Sequence, residues 1–330
     1  MGSARVAILL SDIVETLVSI YPLKGDTYEQ VIVLLSSENL IFSIRSPKVE
    51  ESPDEFAPIA ATSISLLFLY LVVTMLLEEK EQERSSYEET LAVNAFDKKV
   101  IENSKIDFSD VKITILGDSL TQASNLSEEE RLEYAYPVIL QEILGCKEVV
   151  NLGVGGSTIS TVGDDAMVER RKEIEYDSDI IIVFGGTNDC LFENKWDFGH
   201  IEYDLRMNKE TFCGDLDEMV SGMKYVYRDH NEENYVKLLY INPPSTILND
   251  GVYAMDPGNM VHQKTFAEAI NTIVPPYGFE VIDLYNNNFL NSHDKDVNLQ
   301  FVPDGVHCSP EGYRILAEHI ASQIIQRIEQ

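Results

Sequence analysis

Four short segments of the sequence carry small and polar residues of the types that acyl transfer requires. They read GDSLT at 117–121, NLGVGG at 151–156, GGTND at 185–189 and DGVH at 304–307. A serine hydroxyl is a weak nucleophile that needs a neighbouring base, and histidine is the side chain whose ordinary pKa lies near neutral pH. The residue types therefore indicate a nucleophile in the first segment and its base in the last.

Ser119 and His307 are the candidate nucleophile and base. Asp304 precedes His307 by three residues in a short loop, so its carboxylate can hold the imidazole Nδ1–H while Nε2 faces the serine hydroxyl. The tetrahedral intermediate of acyl transfer then needs hydrogen-bond donors for its oxyanion. The backbone N–H groups of Ser119 and Gly156 and the side-chain amide of Asn188 are the predicted donors.

The elements that must position these residues are short apolar strands alternating with helices. Strands are predicted at residues 111–116, 148–152, 179–184, 235–241 and 279–284. Helices are predicted at residues 133–144, 164–175, 209–228, 261–273 and 309–329. Such alternation indicates a parallel sheet covered by helices on both faces. Functional sites of these sheets lie at the carboxyl ends of the strands, where the first three segments are found.

The four segments, in this order and on this strand pattern, resemble the SGNH (GDSL) hydrolase superfamily. The resemblance covers about residues 111–327 and is to bacterial GDSL-type esterases and lipases. It implies an α/β fold, a flavodoxin-like three-layer sandwich with a five-stranded parallel sheet of order 2-1-3-4-5. It also implies a serine ester hydrolase acting on small acyl esters, with O-acetylated carbohydrates and short-chain lipid esters as candidate substrates.

The resemblance also implies a role for each of five residues of this chain. Ser119 matches the nucleophile, His307 the base and Asp304 the carboxylate that orients the base. Gly156 and Asn188 match the oxyanion donors. Asp118 and Asp189 lie in the same segments, and we expect these two short carboxylates to be structural, accepting hydrogen bonds from nearby backbone N–H groups.

The loop after Asn188 is the predicted source of substrate contacts. It contains Phe192 and Trp196, and Trp196 is the single tryptophan of the chain. These aromatic side chains can line an acyl pocket or stack on a sugar, and packing of the loop on the domain surface is an equal alternative. The five remaining histidines have no motif around them and are expected on the surface: His200, His230, His262, His293 and His319.

Two other classes of function compete with an esterase. Residues 153–158 begin like a dinucleotide-binding fingerprint, but Thr158 occupies the third glycine position and no acidic residue clearly ends the following strand. A catalytically silent binding or scaffold protein, anchored through its N-terminal region, is the alternative from a different class. The intact Ser, Asp and His set argues against it, and labelling by a serine-reactive phosphonate separates the two.

The composition limits the partners of the protein. Lys and Arg number 25 against 56 Asp and Glu, a formal net charge of −31, so the surface repels nucleic-acid phosphates and anionic lipid headgroups. The cysteines (Cys146, Cys190, Cys213 and Cys308) form no C-x-x-C pair, and no His cluster has zinc-ligand spacing. We therefore expect no metal, no cofactor and the reduced thiols of a cytoplasmic protein. A disulfide between Cys190 and Cys308 that restricts access to the site is a hypothesis.

Residues 1–105 are predicted to form a separate, mainly helical region, followed by the hydrolase domain at 106–330. Sixteen of the 18 glycines lie at Gly117 or later, which places the functional loops downstream. Residues 4–21 have helical spacing, residues 28–44 fit a helix or a strand, and residues 78–100 are predicted to be helical. A chain that starts near Ser104 is expected to stay folded and active.

Residues 59–77 are an uncharged apolar run, IAATSISLLFLYLVVTMLL. About 20 such residues can span a bilayer. Acidic flanks without tryptophan or basic anchors favour instead a helix covered by protein, in this chain or in a homo-oligomer. We therefore expect a cytoplasmic protein, with membrane anchoring through residues 59–77 as the alternative.

Overall fold

The structure is a computed structural model, and its residues fall into two compact units. It describes residues 21–24, 28–35, 40–47, 85–161, 163, 165–190, 198–201, 209–230, 236–247, 253–254 and 260–329. The first unit is Met1–Glu81 and the second is Gln82–Gln330.

The described part of the first unit is a small antiparallel sheet. Its strands are β1 (Tyr21–Lys24), β2 (Tyr28–Leu35) and β3 (Leu40–Pro47), in the order β1-β2-β3. Residues 28–44, for which helix and strand were both open, are thus mainly strand, because a run rich in Val and Ile favours a pleated ladder. Most of the predicted helix at 4–21 and the apolar run at 59–77 lie outside the described residues. In the part that the structure does describe, no helix combines the length and apolar character needed to cross a bilayer.

The second unit is built on a parallel sheet of five strands. They are β4 (Lys112–Gly117), β5 (Glu148–Gly153), β6 (Ile180–Phe184), β7 (Lys237–Asn242) and β10 (Glu280–Asp283). Their order is β10-β7-β6-β4-β5, which confirms the predicted 2-1-3-4-5 arrangement. A short antiparallel ribbon joins β8 (Tyr253–Ala254) and β9 (Met260–Val261).

The helices follow the predicted pattern, except that one is divided, one is shortened and two short helices were not predicted. They are α1 (Ser86–Asn103), α2 (Ser119–Gln122), α3 (Glu128–Tyr134), α4 (Tyr136–Leu144), α5 (Met167–Arg170), α6 (Phe212–Met223), α7 (Gln263–Ile273), α8 (Lys295–Gln300) and α9 (Pro310–Ile328). The predicted helix at 133–144 is divided between α3 and α4, because Pro137 can start a helix but cannot continue one. The predicted helix at 164–175 is reduced to α5 and a 3₁₀ turn at Arg171–Glu173.

Two apolar clusters cover the two faces of the sheet. Alternate residues of a strand point to opposite faces, so Ile182 of β6 packs in one cluster and Ile181 and Val183 in the other. Residues of α4 and α9 complete the first cluster, and residues of α6 and α7 complete the second. The three-layer sandwich is therefore confirmed.

Helix α1 belongs to the second unit, although the sequence suggested a boundary near residue 105. Its buried face is polar and consists of Ser86, Thr90, Asn94 and Asp97. The Asn94 amide donates to Glu318 Oε2 at 2.6 Å, and His319 Nδ1 lies 2.8 Å from Asp97 Oδ2. His319 is therefore buried, and its expected surface position is wrong. The reason is long-range pairing between α1 and α9, which no local pattern shows.

Removal of α1 is expected to destabilise the second unit. Four apolar residues of α1, Tyr87, Val93, Val100 and Ile101, pack against the first core cluster. Their loss should lower the free energy of unfolding by roughly 3 kcal/mol, at about 25 cal/mol for each Å² of apolar surface. Urea unfolding of chains that start at Gln82 and at Ser104 measures the difference. Equal midpoints would show that α1 adds nothing, as the sequence alone suggested.

Candidate active site

The carboxyl ends of three neighbouring strands bring the first three polar segments together. Gly117 at the end of β4 lies opposite Gly153 of β5 and Phe184 of β6. The segments that follow these strands therefore meet at one edge of the sheet, as the switch in strand order requires.

A tight turn and a short helix place Ser119. Asp118 caps α2, with its Oδ1 accepting a hydrogen bond from the Leu120 N–H at 2.9 Å, which confirms that this carboxylate is structural. Ser119 is the first residue of α2 and only 7% exposed, and N–H groups in the first turn have no partner within the helix. Gly117 is required because a Cβ atom there would lie 2.0 Å from Thr121 Oγ1.

Ser119, His307 and Asp304 form a continuous hydrogen-bonded chain. His307 Nε2 lies 2.9 Å from Ser119 Oγ, and His307 Nδ1 lies 2.7 Å from Asp304 Oδ2. An ionised carboxylate can only accept, so Nδ1 carries the proton, and in a neutral ring Nε2 then accepts from the serine hydroxyl. The sequence prediction that these three side chains meet therefore agrees with the geometry.

Backbone groups fix the Asp304 carboxylate. Its Oδ1 accepts hydrogen bonds from the N–H groups of Val306 at 2.9 Å and His307 at 2.6 Å. Partial burial raises the pKa of Asp304, but the bonds from Val306 and His307 outweigh burial and leave that pKa below its ordinary value. Asp304 is thus ionised at neutral pH and can orient the imidazole.

Gly156 and Asn188, the predicted oxyanion donors, lie in the segments that follow β5 and β6. Gly156 has a φ of +81°, which is a left-handed backbone conformation that residues other than glycine rarely adopt. Apart from its two neighbours in the chain, no residue has an atom within 4 Å of where a Cβ would be, so the backbone conformation and not crowding requires glycine. Asn188 is buried, and its Nδ2 donates to the Ser157 carbonyl at 2.9 Å. This bond orients the amide and joins it to the loop that carries Gly156.

Two buried carboxylates hold the loop that follows Gly156. Asp189 accepts hydrogen bonds from the N–H groups of Ile159 at 2.8 Å and Ser160 at 3.0 Å, which confirms its structural role. Asp215 Oδ2 accepts from the Thr161 N–H at 2.7 Å. No sequence pattern indicates this role of Asp215, because Ser160 and Thr161 lie more than fifty residues away in the chain.

Arg170 is a second residue that sequence reasoning missed. Its side chain is buried and donates hydrogen bonds to the Leu152 carbonyl at 2.6 Å, to Ser157 Oγ at 3.1 Å and to the Gly117 carbonyl at 3.4 Å. It therefore connects the ends of β4 and β5, which carry the serine turn and the Gly156 loop. An arginine in the middle of a predicted helix, followed directly by Arg171, offers no signal for this role.

The surroundings of Asp118 and Asp189 raise the pKa of both carboxyl groups. Burial raises the pKa of Asp118 to about 7, against the hydrogen bond from Leu120, and the charge of Asp189 adds to the increase. Burial likewise raises the pKa of Asp189 to about 7, against the N–H bonds from Ile159 and Ser160. The folded protein thus holds protons that an unfolded chain would release at mildly acidic pH.

Replacing Asp118 with asparagine is expected to weaken the pH dependence of stability. Between the ordinary pKa of 3.8 and about 7, the folded wild type binds a proton that the unfolded chain has lost, so its free energy of unfolding falls as pH rises through this interval. The decrease from this group is up to about 4 kcal/mol. Asparagine keeps an oxygen for the Leu120 N–H and does not ionise. Urea unfolding across this pH interval should show a smaller decrease in Asp118→Asn, whereas identical decreases would contradict a raised pKa.

The other residues singled out in the sequence are the two loop aromatics, the remaining histidines and the four cysteines. Trp196 and Phe192 lie outside the described residues. The histidines other than His307 and His319 are exposed, as expected: His200, His230, His262 and His293. All four cysteines are free, and Cys190 and Cys308 belong to different core clusters on opposite faces of the sheet, so no disulfide joins them here. Among the described residues, no group of three or more His, Cys, Asp or Glu is placed to hold a metal ion, and independence from metals stays a prediction.

Solved structures of other proteins are similar to this chain over about two thirds of its length. A crystal structure of a protein from Lactobacillus plantarum is 26% identical, with a TM-score of 0.54 over 66% of this chain and 98% of that chain. A further crystal structure is 24% identical, with a TM-score of 0.55 over 67% and 99% of the two chains. A member of the lipolytic protein G-D-S-L family from Veillonella parvula is 15% identical, with a TM-score of 0.44 over 66% and 99%.

No curated protein sequence matches the chain. The model of the GDSL-like Lipase/Acylhydrolase family matches residues 115–315, which is more than half of the chain and includes all four polar segments. The chain belongs to the GDSL-like lipase/acylhydrolase family.

Proposed function

We propose that the protein is a serine ester hydrolase that acts through an acyl-enzyme. One observation carries the proposal: Ser119 Oγ, the His307 ring and the Asp304 carboxylate form a chain with separations of 2.9 and 2.7 Å. A serine bonded to a base that is itself oriented by a carboxylate is the arrangement that activates a hydroxyl for attack on an acyl carbon. A scaffold protein without catalysis would have no need of this alignment.

The reaction follows from the three side chains. Ser119 Oγ attacks the ester carbonyl carbon while His307 Nε2 accepts the hydroxyl proton. Collapse of the tetrahedral intermediate breaks the bond to the alcohol oxygen, and His307 returns the proton to the leaving alcohol. A water molecule then attacks the acyl-enzyme, again losing a proton to His307, and the carboxylic acid leaves as the proton returns to Ser119. Asp304 orients the ring and stabilises the imidazolium during both steps.

The oxyanion of each intermediate is assigned to three donors. They are the backbone N–H groups of Ser119 and Gly156 and the side-chain amide of Asn188. The support is their placement at the ends of adjacent strands, the left-handed conformation of Gly156, and the bond that ties Asn188 to the Gly156 loop. Donors fixed in this way need no reorganisation when charge develops on the oxygen.

Small acyl esters are the proposed substrates, and O-acetylated carbohydrates and short-chain lipid esters are the two candidate classes. O-acetylated carbohydrates place the variable part in the alcohol, whereas short-chain lipid esters place it in the acyl chain. Hydrolysis of p-nitrophenyl acetate, butyrate, octanoate and palmitate, next to acetylated oligosaccharides, separates the classes by the ratio of kcat/KM.

Labelling tests the enzyme against the scaffold alternative. The full-length protein is treated with a fluorophosphonate and the modified peptide is identified by mass spectrometry. The proposal expects one label, on Ser119, and loss of ester hydrolysis in proportion to labelling. A folded protein that takes no label and hydrolyses none of the esters would support the scaffold alternative instead.

A further inference from the structure

The loop that carries Asp304 and His307 is supported from behind by Ser292. The Ser292 hydroxyl donates to the Gly305 carbonyl at 2.7 Å and accepts from the Ile247 N–H at 2.8 Å. Ser292 is 1% exposed, so both bonds are shielded from water. Gly305 lies between Asp304 and His307 with a φ of +85°. The position of this one carbonyl therefore constrains the backbone that presents the imidazole.

The segment that leads to Ser292 has a strained backbone. Asn288 has a φ of +51° and Leu290 a φ of +54°. Asparagine tolerates the left-handed region, but for leucine this conformation costs about 1–2 kcal/mol. Such a conformation persists only where the surrounding structure holds it. The contacts that stabilise residues 288–290 in this conformation consequently determine where Ser292 lies.

Two hydroxyl groups of helix α1 form hydrogen bonds with this segment and stabilise its conformation. Ser86 Oγ donates to the Asn288 carbonyl at 2.7 Å and accepts from the Asn291 N–H at 3.2 Å. Thr90 Oγ1 accepts from the Leu290 N–H at 3.0 Å. Ser86 and Thr90 are one helical turn apart on the buried polar face of α1, so a single rigid helix fixes both sides of the strained leucine.

We propose that Ser86 and Thr90 are positioning residues for His307, which act through the strained segment and the Ser292–Gly305 hydrogen bond. The inference rests on the proposed ester hydrolase function and adds to it a contribution from outside the family domain, since the family match starts at residue 115 and α1 ends at Asn103. Correct docking of α1 keeps the imidazole within reach of both Asp304 and Ser119. A small displacement of a catalytic group lowers the rate of chemistry far more than the binding of substrate.

The main test removes the Thr90 hydroxyl and keeps the shape of its side chain. Thr90→Val takes the acceptor away from the Leu290 N–H, and Thr90→Ser restores it. We expect Thr90→Val to lower kcat for p-nitrophenyl acetate by about tenfold with less than about a twofold change in KM, because misplacement acts on the transition state. The rate of fluorophosphonate labelling should fall by the same factor. Thr90→Ser should recover both rates to within about twofold.

Asn94→Ala is the matched control on the same face of α1. Asn94 bonds to Glu318 of α9 and not to residues 288–292. It should lose stability to a similar extent while keeping kcat within about twofold of wild type. Equal losses of kcat in Asn94→Ala and Thr90→Val would reduce α1 to a stabilising element and overturn the proposal.

A double-variant cycle tests whether the effect passes through Ser292. Ser292→Ala should lower kcat in the same direction as Thr90→Val, and the two together should lose less than the product of the single losses. If Thr90→Val does not fold, Ser86→Ala takes its place in the cycle. Fully multiplicative losses would place the two residues on independent routes and overturn the proposed connection.

The activity of the wild-type protein distinguishes failure of the positioning role from failure of the proposed function. Wild type that hydrolyses the ester, together with folded Thr90→Val at wild-type kcat, overturns the positioning role alone. Wild type that neither hydrolyses any ester nor takes the phosphonate label overturns the proposed function and the positioning role with it.

Discussion

Replacing Ser119 with alanine is expected to abolish ester hydrolysis and to leave the fold intact. Without the hydroxyl no acyl-enzyme forms, and loss of the nucleophile in a serine triad lowers kcat by about six powers of ten. The Ser119 side chain contributes its bond to His307, whereas Asp118 supplies the cap of α2. The free energy of unfolding should therefore change by less than about 0.5 kcal/mol.

A matched serine separates this effect from a general loss of hydroxyl groups. Ser221 is half-buried on α6, and its hydroxyl donates to the Glu218 carbonyl within the same helix. Ser221→Ala should keep wild-type turnover of p-nitrophenyl acetate, whereas Ser119→Ala should give no rate above the buffer. Near-wild-type turnover by purified Ser119→Ala would refute the assignment of the nucleophile.

Asn188→Ala is expected to lower kcat by about 10²–10³, with a smaller effect on KM. An oxyanion donor interacts most strongly when the carbonyl oxygen becomes charged, so its loss is felt mainly in the transition state. Affinity for a boronic acid inhibitor that forms a tetrahedral adduct with Ser119 should fall in parallel with kcat/KM.

The same replacement also removes the bond from Asn188 to the Ser157 carbonyl, so stability must be measured beside activity. A change in KM alone would make Asn188 a turn or substrate-binding residue. A large loss of kcat together with unchanged affinity for the boronic acid would remove it from the oxyanion site.

The strands and the edge of the sheet that carries the active site were open to prediction from local patterns, whereas the order of the strands was implied by the family resemblance. Each core strand includes a short run of Val, Ile or Leu, and each of the first three polar segments lies where such a run ends. Since carboxyl ends of neighbouring parallel strands share one edge of the sheet, the strand pattern alone predicts that Ser119, Gly156 and Asn188 lie together. Asp304 and His307 are three residues apart, so their pairing is local as well.

The supporting groups could not be predicted, because their partners are far away in the chain. Asp215 meets Thr161 across the loop behind Asn188, and Arg170 reaches two strand ends at once. A buried charged side chain and an exposed one have the same letter in the sequence. Only the tertiary structure shows which of them has hydrogen-bond partners that make burial favourable.

Helix α1 shows most clearly which features the sequence determines and which depend on the tertiary structure. The sequence by itself determined that residues near 86–103 are helical, because the backbone bonds of a helix are made within the segment. It did not determine where the helix packs, since its buried face is polar and resembles a solvated one. That face is buried because Thr90 meets the Leu290 N–H and Asp97 meets His319, partners about two hundred residues away. Local hydrogen bonds and side-chain periodicity thus specify the elements and the catalytic segments. Burial and long-range pairing, which depend on the whole folded chain, decide the boundary of the unit and what holds the catalytic loop.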